Sequence, residues 1–109
     1  MKFTKTEWEI IEHRLGVPDC IAEVLEGEGF NYQEVEDRVY ELQSKGCDAV
    51  DMDSRVDRAI LEDCCDGCTF FNDIQDAAEL GEISRGTMMA RFKAARSLGV
   101  KLGTEVTIH

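Results

Sequence analysis

The first residues in this chain whose types and spacing could do chemistry are cysteines. Cys65 and Cys68 form a C-x-x-C pair within Cys64-Cys65-Asp66-Gly67-Cys68. Two thiolates at that spacing can supply half of a tetrahedral zinc site or form a redox dithiol. A closed zinc site needs two more ligands, normally from a second C-x-x-C or an H-x-x-x-H, and the sequence has neither. Cys47, His13 and His109 remain, and only tertiary placement could recruit them. A thioredoxin-like dithiol sits in a βαβ setting, which the helical pattern here lacks. Cys64 instead continues an apolar stripe with Val56 and Ile60, and Cys65 stacks one turn after Leu61. Buried cysteine acts as a small hydrophobe. The expectation is structural thiols, with no metal and no cofactor.

Other constellations are weaker. Asp51 to Glu62 places acids at positions 1, 3, 7 and 12 of a calcium-type loop, but Arg55 occupies the fifth ligand position. Val56 stands where the loop needs glycine. These acids read as the favourable negative charge of a helix N-terminus. No H-E-x-x-H, G-x-S-x-G or phosphate-cradling glycine loop is present, and His13 reads as an exposed helix residue. The reading is a non-enzymatic protein.

Charge gives a positive signal. The net charge is −11 over 109 residues. Residues 1–82 carry 22 acidic and seven basic side chains, whereas residues 83–109 carry one acidic and five basic. The acidic part includes Glu23, Glu26, Glu28, Glu34, Glu36, Asp37 and Glu41. A dense acidic helical surface can dock on a basic partner. Glu34, Asp37 and Glu41 are the candidate protein-interface residues. Five cysteines, with Cys20 and Cys47 isolated and Cys64 adjacent to Cys65, fit a disulfide framework poorly. With no apolar run of membrane-spanning length and no signal-peptide core, the expected location is the cytoplasm, with no membrane association.

The elements that must position these residues are helices. Thr4 and Glu7 have capping-box spacing, and Trp8, Ile11 and Leu15 share one face, so a first helix is predicted from Lys5 to Leu15 with Gly16 at its end. Pro18 then fits the first turn of a second helix, Asp19 to Glu26, with Ile21, Val24 and Leu25 inward. Asn31 caps a third, Tyr32 to Lys45, with Val35, Val39 and Leu42 buried. A fourth is predicted from Ser54 to Asp66, and a fifth segment from Thr69 to Leu80. The last helix runs from Arg85 to Leu98, capped by Ser84 and ended by Gly99. Its core face is Met88, Phe92 and Ala95, flanked by Ala94 and Leu98. Arg85, Lys93 and Arg96 line another edge. The β-prone tail, Thr104 to His109, has two possible partners: the segment Lys2-Phe3-Thr4, or Val100 to Leu102. The expected fold is mostly α: residues 1–109 as a single helical domain, a compact bundle of five to six short helices with at most a minor C-terminal β element.

Residues Ile83 to Arg96, ISRGTMMARFKAAR, resemble the recognition part of the helix-turn-helix in region four of bacterial sigma factors and related regulators. Ile83, Ser84, Gly86, Thr87, Arg91, Ala95 and Arg96 match the pattern I-S-x-G-T-V-x-x-R-L-x-x-A-R, and Asp76 to Gly81 are similar to the preceding helix and turn. The chain departs from the pattern at Glu82, an additional turn residue, and at Asp76, where the family has an apolar side chain. The resemblance implies that Ser84 caps the recognition helix, that Arg85, Thr87 and Met88 face the DNA groove, and that Arg91 and Arg96 lie near phosphates. With Lys93 on the same basic edge, the candidate DNA-binding set is Arg85, Thr87, Met88, Lys93 and Arg96.

Two functions follow. The first is a small acidic protein that binds another protein, the mode of action of inhibitors carried by phages and mobile elements. The second is a DNA-binding regulator using residues 76–96.

Overall fold

The computed structural model describes residues 2–63 and 68–108. The predicted continuation of the fourth helix through Cys64, most of the C-x-x-C segment, and His109 lie outside them. In order, the elements are β1 (Lys2–Phe3), α1 (Lys5–Gly27), α2 (Tyr32–Lys45), α3 (Arg55–Asp63), α4 (Asn72–Glu79), α5 (Arg85–Ser97) and β2 (Thr107–Ile108). Short 3₁₀ turns at Cys47–Ala49 and Cys68–Phe70 precede α3 and α4. The fold is mostly α. Among the described residues the β element pairs β1 with β2 in parallel, Lys2 beside Thr107 and Phe3 beside Ile108. The tail therefore takes the N-terminal partner and not Val100 to Leu102.

The largest difference from the sequence reading is α1. The two predicted helices are one helix of 23 residues, and neither Gly16 nor Pro18 ends it. A proline inside a helix removes one i→i−4 hydrogen bond and orphans the carbonyl one turn back. Here that carbonyl belongs to Arg14, and Gln43 Nε2 of α2 donates to it at 2.8 Å. Gln43 is fully buried. The carbonyl that would have marked a helix break is thus satisfied from the neighbouring helix. Burial does the rest: Val17, Pro18, Ile21, Ala22 and Leu25 all face inward in the proline's turn and beyond it. Burying an aliphatic side chain contributes ~1.5–3 kcal/mol, so several of them outweigh a proline cost of ~3 kcal/mol.

Capping otherwise follows the sequence. The Thr4–Glu7 box is formed in both directions, at 2.9 and 3.2 Å. Asn31 Oδ1 accepts from the Glu34 amide at 2.9 Å, and Ser84 Oγ from Thr87. Among the described residues the core comprises two clusters. In one, the C-terminal half of α1 meets Val35, Val39 and Leu42 of α2 and Ile60 of α3. In the other, Ile11 and Leu15 of α1 meet Phe3, Phe71, Ile74, Met88, Phe92 and Ala95. Helix α1 runs through both. Val24, predicted inward, is half exposed, and Leu98 and Ala94, predicted to flank the core, face solvent. Val24 borders the buried arc of α1, Leu98 lies just past the last residue of α5, and Ala94 points about 100° away from the buried Ala95.

Candidate functional site

Helices α4 and α5, with the turn between them, carry residues 76–96, the segment of the helix-turn-helix resemblance. Gly81, at φ 76°, ends α4 in the left-handed conformation. Its amide donates to Ala78 O at 3.0 Å, and the Glu82 amide to Ala77 O at 3.1 Å. Both bonds belong to a Schellman cap. The additional residue, Glu82, is therefore absorbed into the cap, and the connection runs from Leu80 to Ser84 before α5 starts.

The five candidate DNA-binding residues do not share a surface. Arg85, Thr87 and Lys93 are exposed. Met88 is fully buried against Phe92 and Ile74 and has no access to a groove. Arg96, expected on an exposed edge, is half-buried, with its guanidinium 3.6 Å from the centroid of the Tyr40 ring. Arg91 is also drawn inward. It pairs with Glu7, donates to the Lys2 carbonyl and stacks over Phe3. Meanwhile the exposed side of α4 and the turn carries Asp76, Glu79 and Glu82.

On α2, Glu34, Asp37 and Glu41 are all exposed and lie at i, i+3 and i+7, on one face. Asp37 accepts from Gln33 Nε2 at 2.8 Å. Glu41 lies between Arg38 and Lys45, the latter at 3.5 Å. Arg38 also reaches across to Asp57 of α3 in a two-pronged pair at 2.8 and 2.7 Å. The hydrogen bond from Arg38 lowers the Asp57 pKa below its ordinary value. This fixes α2 on α3 and leaves the acidic face outward.

Sequence reasoning missed the place where α1, α2 and the end of α5 converge on a cavity of about 450 Å³. That is within the ~300–1,000 Å³ of small-molecule sites. Asp19 of α1, Glu36 and Tyr40 of α2 and Arg96 of α5 supply its polar wall. Gly99, at φ 79°, turns the chain after α5 so that Val100 to Leu102 close the remaining side, with Leu15 beneath. The Tyr32 hydroxyl bonds to both carboxylates, Asp19 and Glu36. Those bonds, the one to Asp19 first, push its pKa up. Burial raises the pKa of Tyr40 and lowers that of Arg96.

Arg14 was missed as well. It is fully buried, bonded to Asp73 Oδ1 at 2.9 Å and stacked 3.9 Å over Phe71. The signal was present: on one uninterrupted helix, Arg14 falls inside the buried arc that holds Ile11, Pro18 and Leu25.

Among the described residues, no three His, Cys, Asp or Glu side chains converge on a metal position, and no helix is long and apolar enough to cross a membrane. No protein-family model, curated protein or solved structure matches this chain.

Proposed function

We propose that the chain is a non-enzymatic cytoplasmic protein that binds a basic protein partner through the solvent face of α2, with Glu34, Asp37 and Glu41 at its centre. The reading fits the small acidic inhibitors carried by phages and mobile elements. The observation that carries it is the fate of the cations in the helix–turn–helix-like segment. Arg91 and Arg96 are spent inside the molecule, while Asp76, Glu79 and Glu82 occupy the outer side of the first helix and the turn. DNA affinity rests on cations that neutralise phosphates. Only Arg85 and Lys93 remain exposed on α5 for that purpose, beside acids that would repel the backbone. A surface of one sign favours fast, salt-sensitive association with a partner of the other.

The second reading, a DNA-binding regulator, is favoured by the exposure of Arg85, Thr87 and Lys93 on α5. One pair of measurements separates the two. Fluorescence anisotropy of mixed-sequence duplex DNA, titrated with salt, is expected to give no binding. Affinity capture from host extract is expected to return a basic protein that is lost when Glu34, Asp37 and Glu41 are all changed to Lys. Micromolar DNA binding at low salt that the Arg85→Glu, Lys93→Glu variant abolishes would replace the first reading with the second.

A further inference from the structure

Helices α1 and α4 present matching stripes to one groove. On α1 the stripe is Thr6, Glu9, Ile10 and His13; on α4 it is Asp73, Asp76, Ala77 and Leu80. Each has the spacing i, i+3, i+4, i+7, which places four residues on one side of a helix. Together the two stripes line a cavity of about 380 Å³, with Glu82, just past the Gly81 cap, in its wall. Ile10 and Ala77 hold the same place in their stripes and give the groove an apolar floor. Leu80 extends that floor with 76% of its surface in water, the most exposed large apolar residue among those described. The remaining charge is of one sign. Glu9, Asp73, Asp76 and Glu82 stand around the floor, and no lysine or arginine lines it. Asp73 is answered by Arg14. Glu9, Asp76 and Glu82 are exposed, and among the described residues none of them pairs with a lysine or arginine.

We propose that this groove takes a basic segment of a partner protein, in which one large apolar side chain seats on Ile10, Ala77 and Leu80 and flanking Lys or Arg side chains meet Glu9, Asp76 and Glu82. Charge selects this occupant. A second copy of the chain, docked through the same surface by a two-fold axis, would bring like acids together, in a molecule whose net charge is already −11. A nucleic acid would set its phosphates against the same rim. A basic polypeptide cancels the rim and covers the floor. Burial of the anchor supplies affinity, and the flanking cations supply orientation and discrimination. No residue of α2 lines the groove, so the proposal stands apart from the binding face of Glu34, Asp37 and Glu41.

The test uses the intact chain and three end-capped peptides: KRFRK, KRARK, which lacks the anchor, and SSFSS, which lacks the cations. Amide shifts in ¹H–¹⁵N spectra are followed during titration. KRFRK is expected to move the signals of Ile10, Ala77 and Leu80 in a saturable way, and to bind more weakly as salt rises. KRARK and SSFSS should each bind about tenfold more weakly or worse. Asp76→Lys with Glu82→Lys should weaken KRFRK by a similar factor, and so should Leu80→Ser. All three side chains are exposed, and if one of these variants fails to fold by circular dichroism the other carries the test. With Glu34, Asp37 and Glu41 changed to Lys, KRFRK should still move the same signals, which separates this groove from the α2 face. Absence of saturable shifts in the groove, shifts confined to α2, or equal affinity for KRARK would overturn the proposal. So would a chain that sediments as a dimer until Leu80→Ser is introduced, since the groove would then belong to a second copy.

Discussion

The two ends of α1 solve the same problem differently. Each half packs on neighbours through an apolar cluster, and each places an arginine–aspartate pair beside it. In the α1–α2–α3 region the cluster is aliphatic, and the pair, Arg38 with Asp57, lies at the rim. Arg38 keeps about a quarter of its side chain in water (24%), and it engages Asp57 twice, the Ala49 carbonyl at 2.9 Å, and Glu41. In the α1–α4–α5 region the cluster is aromatic, and the arginine is at its centre. Arg14 has no exposed side-chain surface. It meets Asp73 at 2.9 Å and the Thr69 carbonyl at 3.4 Å, and its guanidinium lies over the Phe71 and Phe92 rings. The rim pair can exchange its hydrogen bonds for water when disturbed. In the central pair Asp73 keeps 17% of its side chain in water but Arg14 keeps none, so it is the loss of the guanidinium that must show in global stability.

Breaking that contrast at its strongest point gives the largest expected effect. Arg14→Ala removes a buried cation and opens a cavity beside two rings. Urea denaturation should show a loss of ~3–5 kcal/mol. Arg14→Met with Asp73→Leu should recover most of it, because an apolar replacement of a buried pair is often neutral or better. If Arg14→Ala costs no more than a surface substitution, the centre of the second cluster is not sealed from water.

At the rim, Asp57→Asn should cost ~1–3 kcal/mol through the lost charge on Arg38 and a weakened bond from the Asp51 amide, 2.8 Å away. This pair also has a pH signature. The folded pKa of Asp57 lies below its ordinary 3.8. Its contribution is therefore complete above the unfolded value and disappears as pH falls through the folded value. Acid unfolding followed by circular dichroism should show a smaller loss of stability below pH ~4 in Asp57→Asn than in the unchanged protein.

A smaller effect tests the join between the two regions. Gln43→Leu should cost ~1–2 kcal/mol, since the Arg14 carbonyl loses its donor. The enclosed Gln43 Oε1, which has no partner among the described residues, is removed at the same time and limits the loss. With Pro18→Ala in place, the helix regains its own donor, and the cost of Gln43→Leu should fall toward zero. A double-mutant cycle by thermal unfolding reads that coupling. The smallest expected effects are those of Glu34→Lys and Lys93→Glu, both exposed, within ~0.5 kcal/mol of the unchanged protein.

The same contrast explains what was legible in the sequence. The boundaries of α2, the Thr4, Asn31 and Ser84 caps, and the Met88, Phe92 and Ala95 face were readable because each follows from neighbours a few residues apart. Helix α1 was misread because the donor that lets it pass Pro18 comes from Gln43, 25 residues along the chain and on another helix. Arg96 was placed on a solvent edge for a related reason. Helical geometry gives its direction, but the aromatic ring that occupies that direction, Tyr40, belongs to α2. Glu34, Asp37 and Glu41 are exposed on the helix whose inward stripe is Val35, Val39 and Leu42. The cavity was invisible, since its wall is drawn from three helices and a turn.

The pairing of Lys2 with Thr107 has a kinetic meaning. The contacts between α1 and α2 join segments a short turn apart, whereas the β1–β2 pair closes a loop that contains nearly every other residue. Closing so long a loop costs entropy that only previously docked helices can offset. The ribbon should therefore form after the folding transition state. Substitutions in it would leave the refolding rate almost unchanged and show themselves as faster unfolding. Phe3, carried by that ribbon into the aromatic cluster, acts as a latch on a structure already assembled.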